Sequence, residues 1–135
     1  MRDLKLKNNG RAAYIETVEA YFRALDARCV DDVLGYFNED AVFTVQSAFV
    51  TCKGRDREIK TMFEQFLETY AAVVHTDFEH IVDPTAQAIS SRFRVELDDR
   101  QQGHETKQSV NHWYFQEGKF QRVYVWISGD NVLGD

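Results

Sequence analysis

At 135 residues the chain is the size of one domain with room for a sizeable core, and 44% hydrophobic with 13% aromatic residues excludes a disordered composition. A formal net charge of −6 with no basic run argues against a nucleic-acid partner, because phosphate binding needs clustered Lys and Arg. No apolar run approaches the roughly 18 residues of a membrane span, so no membrane partner is expected.

The first ten residues, MRDLKLKNNG, are polar and lack the apolar stretch of a secretory leader. Residues 1–10 are therefore expected to fray, residues 11–135 to form a single domain, and the protein to be cytoplasmic. Cys29 and Cys52 lie in unrelated segments and read as two free thiols rather than a disulfide framework. From Arg11 the pattern is helical: Ile15, Val18, Phe22 and Leu25 recur at three- and four-residue steps, flanked by Tyr14 and Tyr21. DARCVDD breaks the run, and Asp31 or Asp32 is the expected N-cap of a short second helix carrying Val33, Leu34 and Phe37 and ending near NED.

AVFTVQSAFV is β-branched and aromatic, so it reads as a strand interrupted near Ser47. A glycine turn, CKGRDRE, leads to a third helix with Ile59, Met62, Phe63, Phe66, Leu67 and Tyr70 on one broad face. Thereafter the period is two. Segments 75–82, 87–98, 105–116 and 119–128 form a meander joined by DPTA, by DDRQQGH and by a tight Glu117-Gly118 hairpin turn. Helices first and a meander second is the α+β pattern.

Sheet alternation sorts the side chains of the meander. Ile89, Ser91, Phe93, Val95 and Leu97 share one apolar face, and Val123, Val125 and Ile127 share another. His112, Tyr114, Tyr124 and Trp126 with Arg92, Arg94 and Arg122 form an aromatic, arginine-rich opposite side, which is an interface composition and points to a homodimer.

The ordered set YFRALDARCVDDVLGYFNEDAVF, KGRDREIKTMF and a four-strand meander ending FQEGKFQRVYVW resembles the SnoaL-like and ketosteroid-isomerase-like proteins of the nuclear-transport-factor-2-like superfamily. The resemblance covers roughly Tyr14 to Val132. It implies a curved, mostly antiparallel sheet wrapped around the long N-terminal helix, with two further helices, forming a cone with a pocket at its open end. It also implies dimers formed through the sheet. The same cone hosts isomerases, cyclases, dehydratases, hydrolases and binding modules, so the resemblance gives a pocket rather than a reaction.

Moving a proton beside a carbonyl takes a general base and donors for the enolate oxygen. The ketosteroid-isomerase pattern places a helix tyrosine at Tyr21, a donor acid at Asn111 and the catalytic base near Val45. An Asn amide can still donate, but Val45 can abstract nothing. A substitute base is sought in His75 and Asp77, which at i and i+2 of a strand are expected to leave the same face. The catalytic candidates are thus Tyr21, Asn111, His75 and Asp77. Phe43, Val45, Phe93, Trp113 and Val125 are the candidate pocket wall for a small apolar ligand, a steroid- or polyketide-like ketone. The alternative is a ligand-binding or assembly module with the same pocket and no base.

No cofactor is expected, and no metal: His75, His80, His104 and His112 have no ligand spacing, and His80, five residues past His75, is expected on the opposite face of its strand. KGRDRE lacks the repeated glycines of a phosphate loop and reads as a helix start, with Asp56 and Glu58 suited to the helix dipole. No serine sits in a nucleophile elbow, and neither cysteine has a neighbouring histidine.

Overall fold

The helical stripe of the N-terminal third becomes α1, Arg2–Asp26, in the computed structural model, which describes the backbone of residues 2–133 and the side chains of residues 10–133. The helix runs back through the polar stretch read as frayed, where Leu and Lys are both good helix formers. Val18, Tyr21, Phe22 and Leu25 are buried on its inner side, and Tyr14 and Ile15 pack at the edge of the core.

The second helix is shorter than expected: α2 spans Val30–Leu34. Its N-cap is Cys29 with no side-chain cap, and Asp31 and Asp32 sit inside the first turn, where their charge suits the helix dipole. Phe37 belongs to the next element, β1 (Phe37–Val45), because a fully buried aromatic can start a strand as readily as end a helix. The interruption expected near Ser47 is a 3-10 turn, Gln46–Ala48, followed by β2, Val50–Lys53. A π-helical turn at Gly54–Ile59 leads into α3, Lys60–Thr69, whose Met62, Phe63, Phe66 and Leu67 are buried. Tyr70 opens the next strand instead of closing the helix; burial, Glu105 and Asp99 push its phenol up to about 12.

Two arginines finish α3. The guanidinium of Arg28 donates to the carbonyl of Leu67, Arg100 Nε donates to Glu68 O at 2.8 Å, and Arg100 N donates to Thr69 O at 3.1 Å. These groups satisfy carbonyls that a helix end otherwise leaves to water.

The rest is sheet: β3 (Tyr70–Asp83), β4 (Ala88–Asp99), β5 (Gly103–Gln116) and β6 (Lys119–Ile127). The six strands run in the order β2-β1-β6-β5-β4-β3. Only the β1–β6 pairing is parallel; the others are antiparallel, so this is the mixed, curved sheet of an α+β fold with the helices on its inner side. Glu117 and Gly118, both at positive φ, make the two-residue hairpin turn.

The inner face follows the alternation read from the sequence. Ile89, Ser91, Phe93, Val95 and Leu97 of β4 are buried, as are Val123 and Val125 of β6. Phe37, Phe63, Trp113 and Phe120 complete an aromatic core around Tyr21. Truncating any of these large buried rings to alanine is expected to cost about 3–5 kcal/mol. Both cysteines are free thiols; Cys52 is buried, with its Sγ 3.8 Å from Met62 Sδ. Among the described residues no helix is long and apolar enough to cross a membrane, and no cluster of three or more His, Cys, Asp or Glu could hold a metal.

One departure from strict alternation sets the site. β3 pairs Thr76 with Arg94 and then Glu79 with Arg92, so three steps on β3 match two on β4. This bulge, with Asp77 at φ +60°, re-aims everything after it.

Candidate acid–base site

The open end of the sheet holds a small cavity lined by Tyr21, Phe22 and Leu25 of α1, His75 of β3, Phe93 of β4, Ser109 and Asn111 of β5, and Val125 of β6, among others. Its free volume is about 30 Å³, room for about two waters. Val132 and Leu133, from the segment after β6, close its mouth.

α1 and β3 are joined by two carboxylate–histidine pairs, and of their four residues His75 lines the cavity. Asp26 Oδ1 lies 2.6 Å from His75 Nδ1, and Asp26 Oδ2 accepts the His75 backbone N–H at 2.9 Å. About two turns toward the N-terminus, Glu19 Oε2 lies 2.7 Å from His80 Nε2, whose Nδ1 is 2.6 Å from Ser91 Oγ. Glu19 and Asp26 are seven residues apart, so they leave the same side of the helix. His75 and His80 are an odd five residues apart, and only the bulge lets both face inward. The expectation that His80 lies on the opposite face from His75 is corrected by that extra residue.

The same bulge corrects the pairing of His75 with Asp77. Asp77 sits in the bulge and is exposed, whereas the His75 side chain is only 6% exposed. The two do not share a face. His75 takes its carboxylate from α1 instead, and Phe22 covers its ring at 4.3 Å between centroids. With the Asp26 carboxylate holding Nδ1–H, the Nε2 lone pair is left without a hydrogen-bond partner among the described residues.

Tyr21 and Asn111 both line the cavity, and both are under 5% exposed. The Tyr21 hydroxyl has no hydrogen bond among the described residues; burial, and then the nearby Asp26, push its pKa upward, so it stays a proton donor at ordinary pH. Ser109 Oγ lies 3.0 Å from Asn111 Oδ1 and 3.0 Å from the Trp126 carbonyl, and its single proton serves one of them at a time. With Oδ1 engaged by Ser109, the Asn111 Nδ2 is left to donate into the cavity.

The expected wall is only partly present. Phe43, Phe93 and Val125 line the cavity. Val45 and Trp113 do not; both are fully buried in the packing behind it, and the Trp113 indole N–H finds no acceptor among the described residues.

Asp26, Glu19, His80 and Ser109 were not singled out by the sequence. A signal for Asp26 existed: it sits four residues past Phe22, so it continues the buried stripe of α1 with an acid where an apolar residue is due.

The architecture is shared with solved structures. A candidate polyketide cyclase from Xanthomonas campestris superposes with a TM-score of 0.77 at 14% identity, covering 86% of this chain and 90% of that one. A candidate isomerase from Bacillus subtilis gives 0.77 at 10% identity, covering 87% of each chain. An LEH-like epoxide hydrolase from M. tuberculosis gives 0.73 at 14% identity, covering 87% of this chain and 84% of that one. At such identities the likeness is one of fold. No curated protein matches the sequence. The family model of the SnoaL-like domain matches residues 18–123, and the chain belongs to that family.

Proposed function

We propose that this SnoaL-like protein binds a small apolar carbonyl compound, steroid- or polyketide-like, and shifts a proton on it by cofactor-free acid–base chemistry of the isomerase or cyclase type. The observation that carries the reading is the convergence on one cavity of a carboxylate-held histidine, His75, and two donors without cavity-side partners, Tyr21 and Asn111. In this scheme the substrate carbonyl accepts from the Tyr21 hydroxyl and Asn111 Nδ2. His75 Nε2 takes the proton from the adjacent carbon, and Asp26 balances the imidazolium that forms. A positioned base contributes about 10²–10⁴-fold and each oxyanion donor about 10²–10³-fold. The cyclase, isomerase and epoxide hydrolase named among the structural neighbours are compatible with such chemistry.

A second reading, a ligand-binding module without catalysis, is favoured by two observations. An apolar residue, Val45, stands where the ketosteroid-isomerase pattern has its base, and the cavity is too small for a ketone until Val132 and Leu133 move. The test is exchange of α-protons into D2O from a panel of polycyclic and open-chain ketones, followed by NMR. Exchange that is lost in His75→Gln supports the enzyme. Ketones that bind without any exchange support the module.

As a partner we propose a second copy of the chain, docked through the outer sheet face. That face exposes Ile81 at 76%, Trp126 at 44% and Tyr114 at 41%, with His112 and Tyr124 between them. Contiguous aromatic surface of this kind is uncommon on a monomer.

A further inference from the structure

The inner face of β5 carries three polar side chains in a row toward the mouth of the cone: Asn111, Ser109 and Lys107. Asn111 and Ser109 line the cavity. Lys107 lies beyond it, under the segment that follows β6, and is only 8% exposed. A buried ammonium is costly unless a carboxylate faces it. Lys107 has none: among the described residues its sole polar contact is the Ser128 carbonyl at 3.3 Å, a long bond to a neutral group. Glu105, two residues away on the same strand face, forms no ion pair with it. The chain turns directly over the ammonium at Gly129, φ +72°, where a Cβ would come within 2.7 Å of Nζ. The same segment then drops Val132 and Leu133 into the cavity mouth.

We propose that Lys107 is the anion subsite of this cavity, and that the ligand is an apolar keto-acid whose carboxylate replaces the Ser128 carbonyl at Nζ while its ketone reaches Tyr21 and Asn111. The proposal rests on the reading of the cavity as a carbonyl-binding site and adds the charge and length of what enters it. Lys107 and Asn111 are four residues apart on one strand, ~13 Å between their Cα atoms. The ligand's carboxylate and carbonyl are therefore separated by about 8–13 Å, with apolar chain or rings between them. Entry of such a ligand moves residues 128–133, which exchanges the apolar plug of Val132 and Leu133 for the apolar body of the ligand.

The test is calorimetric binding of a phenyl-ketone alkanoate, with carbonyl and carboxylate about 10 Å apart, against its methyl ester. The expected result is that the acid binds roughly tenfold or more tightly than the ester. Lys107→Met, which keeps the apolar stem and removes the charge, abolishes that preference, and Lys107→Gln does the same if the Met variant folds poorly. Tyr21→Phe weakens acid and ester alike. Equal binding of acid and ester, or an acid preference that survives in Lys107→Met, overturns the subsite and leaves the carbonyl reading intact. Binding of neither probe overturns both.

Discussion

Both oxygens of the Asp26 carboxylate are used by one residue, His75: Oδ2 accepts its backbone N–H and Oδ1 faces its ring Nδ1. Main chain and ring are thereby fixed together. The carboxylate does not merely sit near the imidazole; it sets the ring's rotation and which nitrogen carries the proton.

Asp26→Asn should therefore leave the fold in place and unsettle the ring. An Asn can accept from the backbone N–H and no longer compels Nδ1 to be the protonated nitrogen. With its oxygen on the backbone N–H, the Asn amide donates to Nδ1, so nitrogen NMR of His75 should move from the Nδ1–H to the Nε2–H tautomer, and any proton-exchange activity should fall by about 10²-fold or more. An unchanged tautomer in the variant would remove Asp26 from the scheme.

Restoring a carboxylate at the position the ketosteroid-isomerase pattern reserves for a base should fail. Val45 is fully buried behind the cavity, paired with Val50 and Val125. Val45→Asp places a charge with no partner in the core, at a cost of about 3 kcal/mol or more. Chemical denaturation should show that loss, with no gain in ketone exchange.

Trp126 and Tyr114 test the sheet-face dimer. Trp126→Lys with Tyr114→Lys puts like charges on the proposed contact and removes its two large exposed rings. Sedimentation should report a monomer for the double variant and a dimer for the parent, with monomer stability little changed, since both positions are solvent-facing in the single chain.

Two histidines should pull stability in opposite directions with pH. Hydrogen bonding to Asp98, and then to Glu96, raises the pKa of His104. Its contribution is fully present below the unfolded value of about 6.5 and is lost as pH rises through the folded value. Desolvation lowers the pKa of His112, so the folded state resists its protonation and loses stability as pH falls through the unfolded value. His104→Gln should thus destabilise below the unfolded value of about 6.5 and lose that effect as pH rises above it, whereas His112→Gln should relieve a penalty at the acid end. Melting temperatures of the two variants on either side of that value check both signs.

The fold was legible wherever one period ran uninterrupted. Phe93, Val95 and Leu97 on β4, or Phe22 and Leu25 on α1, carry their burial in their spacing. Legibility failed where a local choice was settled by distant partners. Phe37 is apolar in either a helix end or a strand start, and pairing with Phe120 of β6 decides it. Tyr21 and Asn111 were readable because each lies on a regular element. Asp77 was misplaced because periodicity carries no information about a bulge. Asp26 went unnoticed because its partner lies 49 residues away in sequence.

The bulge in β3 also says which residue the strand can do without. Counting from His75 to His80 gives an odd number, and Asp77 is the one that spoils the parity. Excising Asp77 would leave the two histidines an even four apart, still turned toward Asp26 and Glu19, while the strand lost its bend. β3 is thus a ruler with one extra mark: the added residue keeps both histidines turned inward and bends the wall at that point.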